Sequence, residues 1–197
     1  MCRFVESIRV YNRIANNLEY HNIRLNETRK NNYNVKDNID LNKALTIPEY
    51  LDDKMYKCRV LYQENIAKIE YFLYYKKDIK SLALVEDEDI DYTYKYNDKS
   101  DFDRLLAKKG DADDILIIKN GFITDTSSAN IVFFDGRNWL TPTSPLLKGT
   151  KRAKLLKERA IYEEELTPED IKRFEKASLI NAMIELGDIT IEIKNIK

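Results

Sequence analysis

The chain has 197 residues, enough for one solid core or two small lobes, and its 43% apolar and 34% charged content excludes a disordered chain. Its formal charge of −1 gives no global pull toward nucleic acid or an anionic membrane, and no apolar run approaches membrane-spanning length. Cys2 and Cys58 form neither a spaced metal pair nor a disulfide framework, so each reads as a small buried residue, and no apolar leader follows Met1, which predicts a cytoplasmic location.

Residues 3–11 alternate as a strand, with Phe4, Ile8 and Val10 apolar and Glu6 an inward-facing polar exception. Asn16-Asn17 predicts the cap of a helix over 18–30, on which Leu18, His21 and Leu25 share a face and Arg24 follows His21 by three. Residues 31–38 form a loop or frayed helix end, 39–45 a short helix, and Pro48 breaks the regular structure beyond it. Tyr56–Tyr62 and Ile66–Tyr75 read as the two strands of a hairpin, and Leu82–Val85 as another strand. The acidic run 86–91 predicts a solvated linker between lobes. In the alternating stretch 92–96, Tyr92, Tyr94 and Tyr96 share one strand face and Thr93, Lys95 and Asn97 the other.

The second half of the chain has sharper punctuation. Residues 102–108 predict a short amphipathic helix ended by Gly110, and 115–118 a buried strand. Asn120-Gly121 and Asp135-Gly136 predict hairpin turns around a strand at 131–134. Residues 141–145 (Thr-Pro-Thr-Ser-Pro) read as a rigid loop and 150–159 as a helix. Thr167, Pro168 and Asp170 supply the cap, first position and capping box of another helix. Residues 179–184 and 189–193 close the chain as strands. The pattern is α+β, in two lobes divided near residues 86–95.

Three pieces of the central stretch carry chemistry. Lys95 is an amine on a strand, where alternation alone favours a lysine guarding an exposed edge. Gly149-Thr150-Lys151-Arg152 places a glycine before a helix, where first-turn amides point at an anion; the spacing is not that of a P-loop. Asp125 follows a hairpin strand in a small-residue run ending at Asn130, a setting that also suits a turn-capping aspartate. No metal-ligand spacing occurs.

In order along the chain, Phe4-Val-Glu-Ser-Ile-Arg9, His21-Asn-Ile-Arg24-Leu25, Lys95-Tyr-Asn-Asp98-Lys99, Gly121–Asn130, Gly149-Thr-Lys-Arg152 and Leu179-Ile-Asn181-Ala182-Met183 resemble the motifs of the class IV aminotransferase family, the fold type IV enzymes of pyridoxal phosphate. The resemblance implies a two-lobed, D-amino acid aminotransferase-like fold, shortened here. It implies a smaller N-terminal lobe over 1–88 and a larger lobe over 89–197 carrying the cofactor lysine.

It also implies roles. Lys95 matches the lysine that holds pyridoxal 5'-phosphate covalently and then moves protons, and Asp125 the partner of the pyridine nitrogen. Arg24 and the amides of Thr150 and Lys151 would hold the phosphate, with Asn181-Ala182 at a further cofactor contact. Asp125 stands where many members have Glu, and Lys99 where Arg or an aromatic neighbourhood is usual. Transaminases of the family tend to show Gly-Thr or Ser-Thr where this chain has Asn181-Ala182, and aminodeoxychorismate lyases tend to show Asn-Ala or Asn-Ser. The resemblance therefore points to a lyase giving 4-aminobenzoate and pyruvate in folate biosynthesis. A branched-chain or D-amino acid type aminotransferase and a degenerate binding protein on the same fold remain alternatives. A small-molecule substrate and a homodimer are implied, with no nucleic acid or membrane partner.

Overall fold

The computed structural model describes residues 3–197, so Cys2 lies outside the described residues. The fold is mixed α+β, as expected, and the chain divides into two compact units.

The first unit comprises residues up to Lys76 and returns for Tyr94–Asp98. It is a four-stranded sheet in the order β2-β1-β3-β4: β1 (Phe4–Tyr11), β2 (Ile14–Ala15), β3 (Tyr56–Tyr62) and β4 (Ile66–Leu73). Neighbouring strands are antiparallel, with Glu6 opposite Val60 and Ile8 opposite Cys58. Helix α1 (Leu18–Tyr33) and the single turn α2 (Leu41–Ala44) complete it. Phe4, Ile8, Val10, Leu25, Leu41, Leu51, Cys58, Val60 and Tyr62 form the core, each large side chain worth about 1.5–3 kcal/mol on burial. The Asn17 side chain does not cap α1. Its backbone takes the left-handed region (φ 55°), which asparagine tolerates, and Asn34 (φ 54°) ends the helix the same way.

The second unit comprises Lys77–Thr93 and Lys99–Lys197. Its sheet runs β10-β9-β8-β7-β6-β5. The strands are β5 (Leu82–Glu86), β6 (Asp114–Lys119), β7 (Phe122–Thr126), β8 (Asn130–Phe134), β9 (Trp139–Pro142) and β10 (Tyr162–Glu164). A further strand, β11 (Lys176–Ile180), pairs with β8 and with β12 (Thr190–Glu192). The apolar run of β6 is buried because the strand is central, parallel to β5 and antiparallel to β7. Asn120 (φ 52°) and Gly121 (φ 79°) both take positive φ, as the turn from β6 to β7 requires. Helices α3 (Ser100–Leu106) and α4 (Thr150–Lys157) come after β5 and β9. Thr167 and Asp170 form the predicted capping box, on a 3-10 turn over 168–173.

Several expectations change. The contacts do not divide the chain at 88/89. Residues 77–93 join the second unit because β5 pairs along β6, whereas 94–98 join the first because they hydrogen-bond to the start of β1. Lys95 therefore belongs to the smaller unit, not the larger one. Residues 92–96 are not a strand: one bridge, Tyr96 to Phe4, forms there. The acidic run is tied down, with Asp87 paired to Arg104 and Glu88 accepting from the Asn120 amide. Thr141 and Pro142 lie in β9 rather than in a loop, and residues 181–184 turn instead of continuing β11.

Candidate active site

Chemistry-bearing side chains gather in each unit separately. In the first, β1 delivers Glu6 into the interior, where it is fully buried. His21 and Arg24, one turn apart on α1, converge on it. Arg24 is bidentate, Nε to Oε1 at 2.9 Å and Nη2 to Oε2 at 2.5 Å, and His21 Nδ1 lies 2.6 Å from Oε2. Burial pushes the Glu6 carboxyl up, but the Arg24 charge and the hydrogen bonds from His21 and Arg24 reverse this and hold it at about 2. An ionised carboxylate only accepts, so His21 Nδ1 carries the hydrogen. Burial lowers the His21 pKa against the pull of Glu6, and the charges of Arg24 and Lys95 lower it further. His21 is thus neutral, and Arg24, only 14% exposed, is fixed in direction by Glu6.

Lys95 is half-buried, and its backbone is held on both sides. Its carbonyl accepts from the Val5 amide at 3.0 Å, and the Asn97 amide donates to the Arg3 carbonyl at 2.9 Å. The Asn97 side chain accepts from Arg59 Nη2 at 2.8 Å, and the Tyr96 ring packs on Phe4 at 5.4 Å. A segment without helix or strand is fixed by these bonds to β1 and β3.

In the second unit the predicted residues form one connected group. Asp125, at the end of β7, is 4% exposed and accepts from Asn130 Nδ2 at 2.7 Å and the Leu147 amide at 2.9 Å. Burial raises its pKa to about 6, although those bonds and the Arg152 charge favour the ionised form. Asn130 also donates to the Leu147 carbonyl at 2.9 Å, tying the carboxylate to the loop that enters α4. Gly149 caps α4, and a Cβ there would lie 2.0 Å from Asn130 Oδ1, so no side chain fits. Thr150 and Lys151 are buried in the first turn. Lys151 Nζ bonds both oxygens of Glu185 at 2.6 Å, joining α4 to the turn at 181–184. In that turn Asn181 accepts from the Met183 amide and donates to the Ser128 carbonyl, and Ala182, half-buried, sits between them.

The structure thus brings Arg24 and Lys95 into one unit and Asp125, Thr150, Lys151, Asn181 and Ala182 into the other. Two contributors had no role in the sequence reading. Glu6 had a signal, as an acid on the apolar face of a strand; Glu185, in a charged stretch, had none. Among the described residues no group of three or more His, Cys, Asp and Glu could hold a metal ion, and no helix is long and apolar enough to cross a membrane.

Residues 94–191 match the amino-transferase class IV family model, a span that includes every predicted site residue except Arg24. The chain is 36% identical to an uncharacterized protein of Haemophilus influenzae over 180 residues, 90% of this chain and 96% of that one. It is also similar, at 32% identity and a TM-score of 0.84, to a Haemophilus somnus 129PT protein provisionally named a 4-amino-4-deoxychorismate lyase, covering 93% of this chain and 97% of that one. The chain belongs to the class IV aminotransferase family. The fold is shared more distantly by a hypothetical aminotransferase of Mycobacterium tuberculosis in its PLP-bound form, at 15% identity and a TM-score of 0.72, over 99% of this chain and 81% of that one.

Proposed function

We propose that this chain is a pyridoxal phosphate-dependent 4-amino-4-deoxychorismate lyase, which releases 4-aminobenzoate and pyruvate as a step toward folate. The observation that carries the reading is the 32% identity across 97% of the Haemophilus somnus protein provisionally given that activity. Asn181-Ala182, the pair that the resemblance links to lyases, supports it.

The residues present fit the cofactor. A buried carboxylate that keeps its proton up to about pH 6 suits a cationic ring N–H, whose charge would hold Asp125 ionised. The buried first turn of α4 suits a phosphate received by the amides of Thr150 and Lys151. The Lys151 side chain is engaged by Glu185, so its contribution is the backbone N–H. Arg24, oriented by Glu6, adds a charge-assisted contact, and the turn at Asn181-Ala182 a further one.

When bound, pyridoxal phosphate supplies an electron sink for the carbon that loses its proton. Lys95 would hold the cofactor through its amine, and its Nζ would be the base that takes the proton from the ring carbon beside the substrate nitrogen. Asp125 would pair with the pyridine nitrogen and favour its protonated form. Loss of enolpyruvate leaves an aromatic ring, which makes the step irreversible. The enzyme acts in the cytoplasm as a homodimer in this reading.

The test supplies purified protein with chorismate, glutamine and an aminodeoxychorismate synthase. Stoichiometric 4-aminobenzoate and pyruvate are expected, with no change in cofactor absorbance on adding ordinary amino acids. Conversion of the cofactor to its amine form by an amino acid, without 4-aminobenzoate, would make the chain an aminotransferase.

A further inference from the structure

Arg152 lies in the first turn of α4, 4% exposed, and its guanidinium is only partly satisfied. Nη2 donates to the Pro142 carbonyl at 2.8 Å and to Glu163 Oε1 at 2.6 Å. Nε is buried with no hydrogen-bond partner among the described residues. Glu163 stands on β10, an end strand of the sheet, and is half exposed, so solvent weakens its hold on the buried charge. The other charges of this turn are Lys151 and Glu185, which offset each other through two contacts at 2.6 Å.

Two things connect this guanidinium to Asp125. The first is the loop over residues 143–149, whose Leu147 amide donates to Asp125 and whose Leu147 carbonyl accepts from Asn130. That loop begins after Pro142 and ends at Gly149, so the Arg152 bond to the Pro142 carbonyl ties its two ends together. Its first residue is fixed as well, the Thr143 amide donating to the Glu164 carbonyl at 3.0 Å. The second is charge. Hydrogen bonds reach Asp125 from neutral groups, the Asn130 side chain and the Leu146 and Leu147 amides, and Arg152 supplies the charge that favours its ionised form. Both groups are buried, so little solvent screens them from each other. Charges buried for stability alone can often be exchanged for apolar side chains without loss. A partly satisfied cation beside a carboxylate that has to meet a cationic ring points instead to a part in the site.

We infer that Arg152 is a positioning residue that acts through Asp125: its buried guanidinium keeps the carboxylate charged and the 143–149 loop closed before the cofactor arrives. The inference rests on the reading of Asp125 as the partner of the ring nitrogen, and it holds whichever reaction follows. With Arg152 in place, the Asp125 carboxyl has lost its proton by neutral pH and can receive a ring N–H directly. Without Arg152, burial dominates, the carboxyl keeps its proton to higher pH, and binding has to expel that proton first. Arg152 touches neither ring nor substrate in this assignment.

The experiment uses the full chain freed of cofactor. The Asp125 carboxyl is titrated by carbon NMR in protein labelled at aspartate, with Asp125→Asn to assign the signal. Arg152→Gln is expected to raise the midpoint by about one pH unit above the parental value of about 6. Pyridoxal phosphate affinity, measured on the same proteins, should fall about fivefold at pH 6 and scarcely at all at pH 8, because only the protonated fraction changes. Arg152→Lys, which keeps the charge, should titrate close to the parent. Should Arg152→Gln fail to fold, it is combined with Glu163→Gln, which leaves no unpaired carboxylate, and compared with Glu163→Gln alone; the same rise is expected. An unmoved Asp125 midpoint in either comparison would overturn the inference. Equal loss of affinity at pH 6 and pH 8 would assign Arg152 to packing and overturn it too. Parental affinity and cofactor spectrum in Asp125→Asn would show that Asp125 does not meet the ring nitrogen, and the inference would fall with that assignment.

Discussion

Asn130 donates to Asp125 Oδ1 at 2.7 Å and, with the same nitrogen, to the Leu147 carbonyl at 2.9 Å. One amide thus links the buried carboxylate of β7 to the loop that delivers α4. The two cofactor contacts proposed for this unit, at Asp125 and at the start of α4, are therefore mechanically one.

This coupling makes Gly149 a sensitive position. Gly149→Ala would place a methyl 2.0 Å from Asn130 Oδ1, and Asn130 cannot yield without releasing Asp125 and Leu147. A loss of about 1–3 kcal/mol is expected in chemical denaturation, together with weaker cofactor retention. Parental stability in the alanine variant would show that the loop adapts and that the link is loose.

Asp125 should give the cofactor-free protein a distinctive pH profile. Its folded pKa, about 6, lies above the usual 3.8, so the folded state binds the proton more tightly than the unfolded one. Stability from this group is fully present below about pH 4, falls as pH rises toward 6 and is flat above. The whole change is about 3 kcal/mol at most. Denaturant titrations of parent and Asp125→Asn between pH 4 and 7 measure it as a difference. Parallel curves would mean that the carboxyl titrates normally.

Glu6 has the opposite sign. Its folded pKa of about 2 lies below the usual 4.5, so its stabilisation is present above about pH 4.5 and is lost as pH falls toward 2. Glu6→Gln leaves Arg24 without its buried counter-charge and should cost about 3–5 kcal/mol at neutral pH, with a flatter acid limb. It should also loosen the cofactor, because Arg24 is no longer oriented. A variant as stable as the parent at pH 7 would show that Arg24 finds solvent or another acceptor.

The homodimer is tested by sedimentation of the cofactor-loaded protein at micromolar concentration. A mass twice the 23.3 kDa chain is expected. A monomer with cofactor still bound would contradict it.

How far the sequence carried these assignments varies with how local the determining contacts are. The bounds of β3 and the turn at Asn120-Gly121 were legible, because alternation and positive-φ residues act over a few neighbours. The strand expected at 92–96 was not: its alternation is real, but only Tyr96 finds a partner strand. Helix α1 was expected too short, because most of its buried face is polar: His21, Thr28 and Arg29 beside the one apolar residue, Leu25. Arg29 is buried there because its guanidinium bonds Asn26, Asp37 and the Glu64 carbonyl, contacts that no periodicity displays. Division of the chain at 88/89 failed for a similar reason, since β5 joins the second unit by pairing with a strand about thirty residues later. At the site, Asp125 and Gly149 were recognised as motif positions, but their connection through Asn130 exists only in the folded chain.

The central claim is that Lys95 carries the cofactor. Borohydride reduction of the cofactor-loaded protein, with proteolysis and peptide mass mapping afterwards, tests it most directly. One pyridoxyl mass addition is predicted, on the peptide containing Lys95, and none in Lys95→Ala treated identically. A label on another lysine, or no label in protein saturated with pyridoxal phosphate, would contradict it.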